Sequence, residues 1–334
     1  MNIVIPMAGR GTRLRPHTLT VPKPLIPIAG KPIVQRLVED IATVCREKID
    51  KIGFVIDRDF GQNVEDSLQA IANNEGAEAY MYYQDDKLGT GHAILCAQQM
   101  LEGNVIVAFA DTLFRADFTL DTSQDGIIWV QQVDDPHAFG VVRVDEENVI
   151  TDFMEKPQEY VSDLAIIGIY YFKDGALLRS ELQNLIDKDL RENGEYQLTN
   201  ALESMKEAGV RFVPGQVEEW LDCGNKNAAV YTNKRYLEYL TDEELIASTV
   251  KQKNTVIVPP VYMGDNVVVE NSVIGPHVSI GDNTRVKNSI IQNTIIQTNA
   301  ALNNVNIKNS MIGNFVNFEG KQDDFSVGDY NVLT

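Results

Sequence analysis

The hydrophobic pattern of the chain changes in kind at about residue 256, and this change constrains the fold more than any other feature. Beyond it, apolar residues recur every six positions: Val256, Tyr262, Val268, Ile274, Ile280 and Val286. A six-residue period without helical periodicity is typical of a β-helix, in which each repeat forms one side of a triangular coil. A β-sandwich is the alternative, but its turns recur at about 8–12 residues. We therefore predict a short left-handed β-helix whose coils become irregular after Val286, where the phase slips.

The first 240 residues show a different pattern, in which apolar β-runs alternate with amphipathic helical stretches. Residues 3–7 are predicted to form a strand, and residues 32–48 carry apolar side chains at helical spacing. Residues 105–110 form a continuous apolar run, as expected for a strand buried on both faces. Alternation of this kind predicts an α/β, Rossmann-like domain with a mixed sheet. The predicted organisation is a first domain over 1–240, a linker over 241–255, the β-helix over 256–320 and a tail over 321–334.

Composition limits what a chain of 334 residues with this pattern can bind. It has 29 basic and 48 acidic residues, a formal charge of −19. So acidic a surface disfavours nucleic acid and anionic membranes as partners. No apolar run approaches the ~18 residues of a membrane span, and the short apolar start is followed by basic residues, unlike a signal peptide. Cys45, Cys96 and Cys223 lie far apart, which argues against a disulfide framework or a zinc site. We expect a cytoplasmic protein.

One segment concentrates positive charge in this acidic chain. Residues 7–16 read Met-Ala-Gly-Arg-Gly-Thr-Arg-Leu-Arg-Pro and directly follow the first predicted strand. Glycines let a backbone approach a phosphate and point N–H groups at it, and arginines add fixed charge. Lys23 and Lys31 follow, each before a proline. Because α/β ligands bind at the carboxyl ends of strands, we predict a phosphate site here. The Walker and dinucleotide-binding patterns are both absent.

This segment opens a series of motifs that resembles the sugar-1-phosphate nucleotidyltransferases. The family's opening pattern, G-x-G-T-R-L-x-P followed by K-P-L-x-P and K-P, stands here at residues 9–16, 23–27 and 31–32. Further motifs follow in the family's order: L-G-T-G-H-A at 88–93, A-D at 110–111, F-G-V at 139–141, E-K-P at 155–157, G-E-Y-Q-L-T at 194–199 and W-L-D-C-G at 220–224. The match covers roughly residues 1–240, and a hexapeptide tail is also common in the family.

The resemblance implies Mg²⁺-dependent transfer of a nucleotidyl group from an NTP to a sugar-1-phosphate, which gives an NDP-sugar and pyrophosphate. The attacking phosphate oxygen is already an anion near neutral pH, so the reaction needs positioning and charge neutralisation rather than a general base. The implied roles are catalysis for Arg13, Lys23 and Asp111, nucleotide binding for Ala8, Gly9, Gly11, Thr12, Gln84, Gly89 and Thr90, sugar-phosphate binding for Gly140, Glu155, Lys156 and Glu195, and Mg²⁺ binding for Asp111 and Asp222.

Gln84 bears on the choice of base. A glutamine amide offers one acceptor oxygen and two donor hydrogens, which match the N–H and carbonyl edge shared by uracil and thymine. We therefore expect a pyrimidine nucleotide. Both UTP and dTTP remain open, and the glutamine alone leaves a cytosine nucleotide open as well. The expected sugar substrate is glucose-1-phosphate.

Several residues have simpler interpretations, and two other functions remain open. His92 at a predicted helix start is expected to cap or pack, and Cys223 to be a packed thiol, because Mg²⁺ prefers oxygen ligands. His277 is expected to occupy a turn, although β-helix acyltransferases use a histidine as base. The alternatives are a bifunctional N-acetylglucosamine-1-phosphate uridylyltransferase/acetyltransferase-like enzyme and a non-catalytic sugar-nucleotide-binding subunit. The β-helix is expected to support a homo-oligomer.

Overall fold

The computed structural model describes residues 1–45, 47–240 and 245–321. The predicted tail therefore lies outside the described residues except for Lys321, as do residues 241–244 of the predicted linker. The chain divides into two compact units. Unit 1 comprises Met1–Ile26 and Pro32–Gly224, and unit 2 comprises Pro27–Lys31 and the chain from Asn225 onward.

Strands and helices alternate along the chain up to Gly224. The strands are β1 (Asn2–Pro6), β2 (Pro27–Ile28), β3 (Lys31–Pro32), β4 (Lys51–Ile56), β5 (Glu78–Tyr83), β6 (Val105–Ala108), β7 (Thr112–Arg115), β8 (Gly126–Gln132), β9 (Gly140–Val144), β10 (Ile150–Glu155), β11 (Leu164–Phe172), β12 (Phe212–Gln216) and β13 (Glu219–Asp222). The helices are α1 (Ile33–Val44), α2 (Gln62–Asn74), α3 (Thr90–Cys96), α4 (Gly175–Asp187) and α5 (Leu198–Glu207).

A mixed sheet forms the centre of unit 1. Its strand order is β10-β9-β11-β6-β1-β4-β5, and β8 joins β11 to β12. Strands β6, β1, β4 and β5 run parallel, whereas β11 runs antiparallel to β6. Ile3, Phe54 and Val107 are completely buried, as the continuous apolar runs predict. The predicted α/β fold with a mixed sheet is confirmed. Because β1 and β6 are parallel neighbours, the segments that follow them emerge at the same edge of the sheet.

A separate two-stranded ribbon brings a distant segment to that edge. Strand β13 pairs antiparallel with β7, with Asp222 opposite Thr112 and Leu221 opposite Leu113. Neither strand is predicted by the sequence pattern, because each has only two apolar residues between polar or charged ends. The ribbon places residue 222 beside the end of β6.

Parallel strands in three columns build unit 2. Its elements are α6 (Lys226–Tyr239), β14 (Lys251–Lys253), β15 (Val256–Ile257), β16 (Val261–Met263), β17 (Val268–Glu270), β18 (Val273–Ile274), β19 (Val278–Ile280), β20 (Arg285–Lys287), β21 (Ile290–Ile296), β22 (Ala301–Asn303), β23 (Asn306–Ile312) and β24 (Asn317–Glu319). One column is β14-β17-β20-β22-β24. The second runs β15-β18 and the third β16-β19, and both continue through the longer strands β21 and β23. Three parallel columns of short strands confirm the predicted β-helix.

The side chains that fill this β-helix follow a different phase from the one predicted. Met263 and Val269 are completely buried, whereas Val256 is 57% exposed, and Tyr262 and Val268 are half-buried. For the first three residues of the predicted six-residue repeat, Val256, Tyr262 and Val268, the side chain that points into the core is therefore that of the next residue. The reason is the coil length: Val269 pairs with Val286, a step of 286 − 269 = 17 residues, so the three sides cannot all contain six residues.

Helix α6 belongs to unit 2, although its residues lie within the range 1–240 of the predicted first domain. Asn233, on α6, is completely buried. Its side-chain oxygen accepts hydrogen bonds from Ser279 Oγ at 2.7 Å and from the Ala29 N–H at 2.9 Å. Glu238 Oε1 lies 3.0 Å from His277 Nε2. His277 has a φ of 63°, and it lies between Pro276 and Val278 at the start of β19, in agreement with the predicted turn position.

Candidate active site

The turn after β1 is shaped by Gly11. Its φ is 56°, in the left-handed region that favours glycine. Its carbonyl accepts hydrogen bonds from Thr18 Oγ1 at 2.8 Å and from the Leu14 N–H at 3.0 Å, and Leu14 is buried beneath the turn. A Cβ on Gly11 would lie 2.8 Å from the Cβ of Lys23. The turn therefore packs directly on the lysine side chain, which explains why the two motifs occur together.

Lys23 and Asp111 form an ion pair at the carboxyl edge of the sheet. Lys23 Nζ donates to Asp111 Oδ2 at 2.8 Å. The lysine side chain is only 10% exposed, whereas that of Asp111 is 41% exposed. A nearly buried ammonium group needs a partner, and Asp111 supplies it. The pair puts one positive and one negative group at the same point of the cleft.

Asp222 lies beside Asp111. The Cys223 N–H donates to the Asp111 carbonyl oxygen at 2.9 Å, as an extension of the β7–β13 ribbon. Burial, and then repulsion from the Asp111 carboxylate, raise the pKa of Asp222 above its usual value. Lys23, the Gly224 N–H and Arg13 act in the opposite direction on this pKa. The two predicted metal-binding carboxylates are thus neighbours, on the same side as the glycine-arginine turn.

These two carboxylates suit Mg²⁺. This ion prefers oxygen ligands and is held in phosphate-transfer sites by one or two carboxylates together with substrate phosphates and waters. A divalent cation would relieve the repulsion that raises the pKa of Asp222. Among the described residues no group of three or more His, Cys, Asp or Glu side chains could hold a metal ion. Asp111 and Asp222 fit a cation that is shared with a phosphate substrate. Cys223 is completely buried.

Gln84 and Gly89 shape the opposite wall. Gln84 follows β5 and is 6% exposed. Its Nε2 donates to the Gly89 carbonyl oxygen at 3.1 Å. Gly89 has a φ of 112°, and a Cβ there would lie 2.6 Å from the Tyr196 carbonyl oxygen. Only glycine fits this close approach of two backbone segments, and Tyr196 N–H completes it by donating to the Leu88 carbonyl at 2.8 Å.

Thr90 lies at the start of α3 and its hydroxyl is engaged within the protein. It donates to Gln197 Oε1 at 3.2 Å and accepts from the Leu198 N–H at 3.0 Å. Thr90 therefore joins α3 to the start of α5. Any contact of this residue with a nucleotide has to be made by another atom or by the third site of the hydroxyl.

A cavity of about 470 Å³ connects the two walls. Eleven of the predicted site residues line it: Ala8, Gly9, Gly11, Thr12, Arg13, Lys23, Gln84, Gly89, Thr90, Asp111 and Glu195. Asp222 is not part of this lining but adjoins it through Asp111 and through Gly224, whose N–H donates to Asp222 Oδ1 at 2.8 Å.

A second, smaller cavity of about 190 Å³ contains Gly140 and Glu155. It shares Thr90 and Phe109 with the larger cavity, so the two adjoin. The Glu155 side chain is 16% exposed and lies 3.3 Å from Lys156 Nζ, which is 58% exposed. Of the four predicted sugar-phosphate residues, Lys156 alone lines neither cavity.

Two further basic residues, Arg10 and Lys87, line the large cavity, although neither is among the predicted site residues. Lys87 Nζ donates to Asp57 Oδ2 at 2.8 Å and to the Gln84 carbonyl oxygen at 2.9 Å. Lys87 follows two aspartates, and three consecutive charged residues are typical of an ordinary surface turn. No sequence signal distinguishes this lysine, because its partner Asp57 follows a different strand.

The model of the nucleotidyl transferase family matches residues 3–239 of the chain. The chain belongs to this family. The membership expected from the motifs is therefore confirmed, and the matched region includes every predicted site residue. Among the described residues, no helix combines the length and the apolar character that a membrane crossing requires.

Relatives within the nucleotidyl transferase family carry several substrate names. The bifunctional protein GlmU of Methanococcus maripaludis is 31% identical over 262 residues, which cover 77% of this chain and 60% of that protein. The catalytic subunit beta of mannose-1-phosphate guanylyltransferase from Drosophila pseudoobscura pseudoobscura is 29% identical, and the match covers 79% of this chain and 67% of that protein. A solved UDP-glucose pyrophosphorylase complexed with UDP-glucose is 26% identical, with a TM-score of 0.58, over 71% of this chain and 98% of that chain.

Proposed function

We propose that the protein transfers a nucleotidyl group from a pyrimidine NTP, dTTP or UTP, to a sugar-1-phosphate, with glucose-1-phosphate as the expected acceptor. The products are an NDP-sugar and pyrophosphate. One observation carries the proposal: Lys23, Asp111 and Asp222 meet at the rim of the cavity that the glycine-arginine turn lines.

The chemistry needs no general base. A phosphate oxygen of the sugar-1-phosphate attacks the α-phosphorus, the bond from that phosphorus to the bridging oxygen breaks, and pyrophosphate leaves with the electron pair. Charge accumulates on the phosphoryl oxygens in the transition state. Lys23 neutralises the α-phosphate, while Arg13 and the N–H groups of the turn hold the triphosphate. Substrate alignment provides the rest of the acceleration.

Asp111 and Asp222 would hold Mg²⁺. When bound, the ion supplies Lewis-acid neutralisation of phosphate charge. Lys23 is bonded to Asp111 in this structure, so it must exchange that carboxylate for a phosphate when substrate enters. Because the lysine lies under the Gly11 turn, the exchange requires only a movement of the end of its side chain.

The residues of the two cavities support the choice of substrates. Gln84 places an amide beside the large cavity, and the relative solved with UDP-glucose supports a uridine nucleotide and a glucosyl acceptor. Gly140 and Glu155 face the adjoining cavity, where Glu155 can accept hydrogen bonds from sugar hydroxyls. Glu195 lines the larger cavity. Lys156 Nζ lies 3.3 Å from Glu155 Oε1, and its 58% exposed side chain would have to leave that carboxylate to bind the phosphate of the sugar.

A matrix of five NTPs against several sugar-1-phosphates, read by pyrophosphate release with and without Mg²⁺, tests the proposal. We expect turnover only with Mg²⁺ and highest with UTP or dTTP and glucose-1-phosphate. Lys23→Ala should abolish release, and Lys188→Ala, at an exposed lysine of the same chain, is the matched control. Near-normal turnover by the Lys23 variant would remove the proposed role of this residue.

A second activity in unit 2 is the alternative. The relative from Methanococcus is named as bifunctional, and unit 2 contains a β-helix. His277 would be the base of an acyl transfer, and it is paired with Glu238 at 3.0 Å, as an activated histidine would be. Thiol release from acetyl-CoA in the presence of amino-sugar phosphates would support this activity. Unchanged acetyl-CoA with each acceptor would leave unit 2 a structural role.

We also propose that the protein is a cytoplasmic homo-oligomer assembled through unit 2. Three cysteines far apart in the sequence fit a reducing compartment. Val256, Val273 and Ile290 occupy one register row of the β-helix, and Val256 and Ile290 are 57% and 53% exposed. Exposed apolar rows of this kind mark contact surfaces. Light scattering of Ile290→Asp should show a smaller assembly than the wild type, and an unchanged mass would exclude this row.

A further inference from the structure

The amide of Gln84 is held in one orientation. Its Nε2 is 3.1 Å from the Gly89 carbonyl oxygen and 3.3 Å from Nδ1 of His92. A carbonyl oxygen only accepts, so the amide atom that faces Gly89 must be the nitrogen. Both amide hydrogens then point into the protein. Within the described chain, no donor bonds to Oε1, which is left as the polar atom of Gln84 available to a ligand.

This arrangement fixes the state of His92. Nδ1 faces an N–H donor, so it must carry a lone pair, and the ring proton must be on Nε2. Burial lowers the pKa of His92, and the Asp86 charge opposes this effect only in part. The Asp86 backbone also favours the protonated ring and so acts to raise the pKa of His92. Lys87, the nearest cation on the same loop, is held by Asp57 at 2.8 Å. The imidazole is therefore neutral near pH 7.

We infer that His92 is a positioning residue for base recognition: by accepting from Gln84 Nε2 it keeps the glutamine oxygen toward the nucleotide, so the site takes a base that offers an N–H group. The inference rests on the proposed function to the extent that a nucleotide base lies beside Gln84. It replaces the initial expectation that Gln84 both donates to and accepts from the base, because both of its donors are already used.

The bases differ at the atom that this oxygen would meet. Uracil and thymine present N3–H, a donor, whereas cytosine presents an unprotonated N3, an acceptor. An acceptor oxygen fixed beside the ring therefore favours uracil and thymine and repels N3 of cytosine. If His92 becomes protonated, an N–H at Nδ1 opposes the amide N–H, and the amide can turn to donate to the base. Discrimination against cytosine should then weaken as the pH falls below the pKa of His92.

The test is the ratio of kcat/KM for UTP to that for CTP, measured between pH 5.5 and 8.5, with dTTP and dCTP as a second pair. Ionisation of the triphosphates cancels in each ratio because the phosphates are the same. His92→Asn keeps an acceptor near the position of Nδ1 but does not titrate, and His92→Phe keeps the ring volume but removes the acceptor. Thermal unfolding of each variant reports whether it is folded.

We expect the wild-type ratio to be high at pH 8 and to fall toward acid pH. His92→Asn should keep a high ratio that is independent of pH. His92→Phe should lower the ratio about tenfold or more at pH 8, the cost of losing one well-directed hydrogen bond. The inference is wrong if His92→Phe folds and keeps the wild-type ratio. It is also wrong if His92 titrates between pH 5.5 and 8.5 while the wild-type ratio does not change with pH.

A measurement without turnover separates this inference from the proposed function. Nitrogen-15 NMR of the four histidines, with the His92 signals assigned by comparison with His92→Asn, gives the tautomer directly. A protonated Nε2 and an unprotonated Nδ1 at pH 7 support the positioning contact even if no pyrimidine nucleotide is a substrate. A proton on Nδ1 would overturn it, whatever the substrates prove to be.

Discussion

Lys23 and Asp111 are separated by 88 positions in the chain, and their charged atoms lie 2.8 Å apart. The pair shows how a chain with a charge of −19 keeps a cationic group at the cleft. In the proposed mechanism, a phosphate of the substrate takes the place of the acidic partner. A self-neutralised site of this kind costs less to bury than either charge alone.

Replacing Lys23 with alanine should lower kcat by at least about 10²–10³-fold, the range seen when one transition-state charge contact is removed. Pyrophosphate release measures the effect, and circular dichroism should show a folded protein. Lys188→Ala, at an exposed position, should retain full activity. A variant at position 23 that is folded and within threefold of wild type would contradict the assignment.

Asp222→Asn should abolish activity yet stabilise the metal-free fold near neutral pH. Burial and the neighbouring Asp111 raise the pKa of Asp222 in the folded state, so folding favours the protonated form. Stability is therefore lost as the pH rises from the usual aspartate pKa through this raised value. The asparagine removes that charge, while its oxygen can still accept from the Gly224 N–H. The gain in melting temperature should be present at pH 7 and vanish below the usual pKa of an aspartate.

Mg²⁺ provides a second measurement on the same variant. Millimolar Mg²⁺ should raise the melting temperature of the wild type, because a ligand that binds only the folded state stabilises it. The shift should be smaller in Asp222→Asn and should fall in the wild type as acid protonates Asp222. Equal shifts in both proteins would show that Asp222 does not hold the ion.

Gly11→Ala should lower the free energy of unfolding by about 1–2 kcal/mol, the cost of a left-handed conformation for a residue with a Cβ. The new methyl group would also press on the Lys23 side chain, so kcat should fall as well. Gly9→Ala is the control for stability, since nothing lies within 4 Å of a Cβ at that position. Urea unfolding of both variants gives the comparison, and equal losses would mean that the turn does not require glycine at position 11.

Glu155→Gln should raise the KM for the sugar-1-phosphate about tenfold, the value of a hydrogen bond to a charged acceptor, and leave the KM for the NTP nearly unchanged. Glu155 lies in the smaller cavity, away from the predicted nucleotide contacts. Glu159→Gln, at an exposed glutamate four residues on, is the matched control. A selective rise in the KM for the NTP would instead place the nucleotide in this cavity.

Local sequence signals were sufficient for the sheet and for the turn after β1. The apolar run of β6 and the helical spacing of α1 both reflect burial, which leaves a direct pattern in the sequence. The meeting of Asp111 and Asp222 rests on β7 and β13, which have only two apolar residues each and leave no such pattern. Only the resemblance to a family suggested that pairing.

Hydrogen-bond direction was the other point that the sequence could not supply. The residue type of Gln84 specifies both a donor and an acceptor, and which of them faces a ligand depends on Gly89 and His92. His92 itself looked like a capping residue, because a contact across eight positions between a strand end and a helix leaves no periodic signal.

The stacked coils of unit 2 have a consequence for how such a chain can vary. Val269, Val286 and Leu302 occupy equivalent places in successive coils, and each of these strands pairs in this column with the strands of the adjacent coils. A further coil stacked beyond the last pairing of the column, Leu302 with Phe318, would leave every earlier pairing of the column unchanged. The number of coils is thus an independent dimension of this architecture.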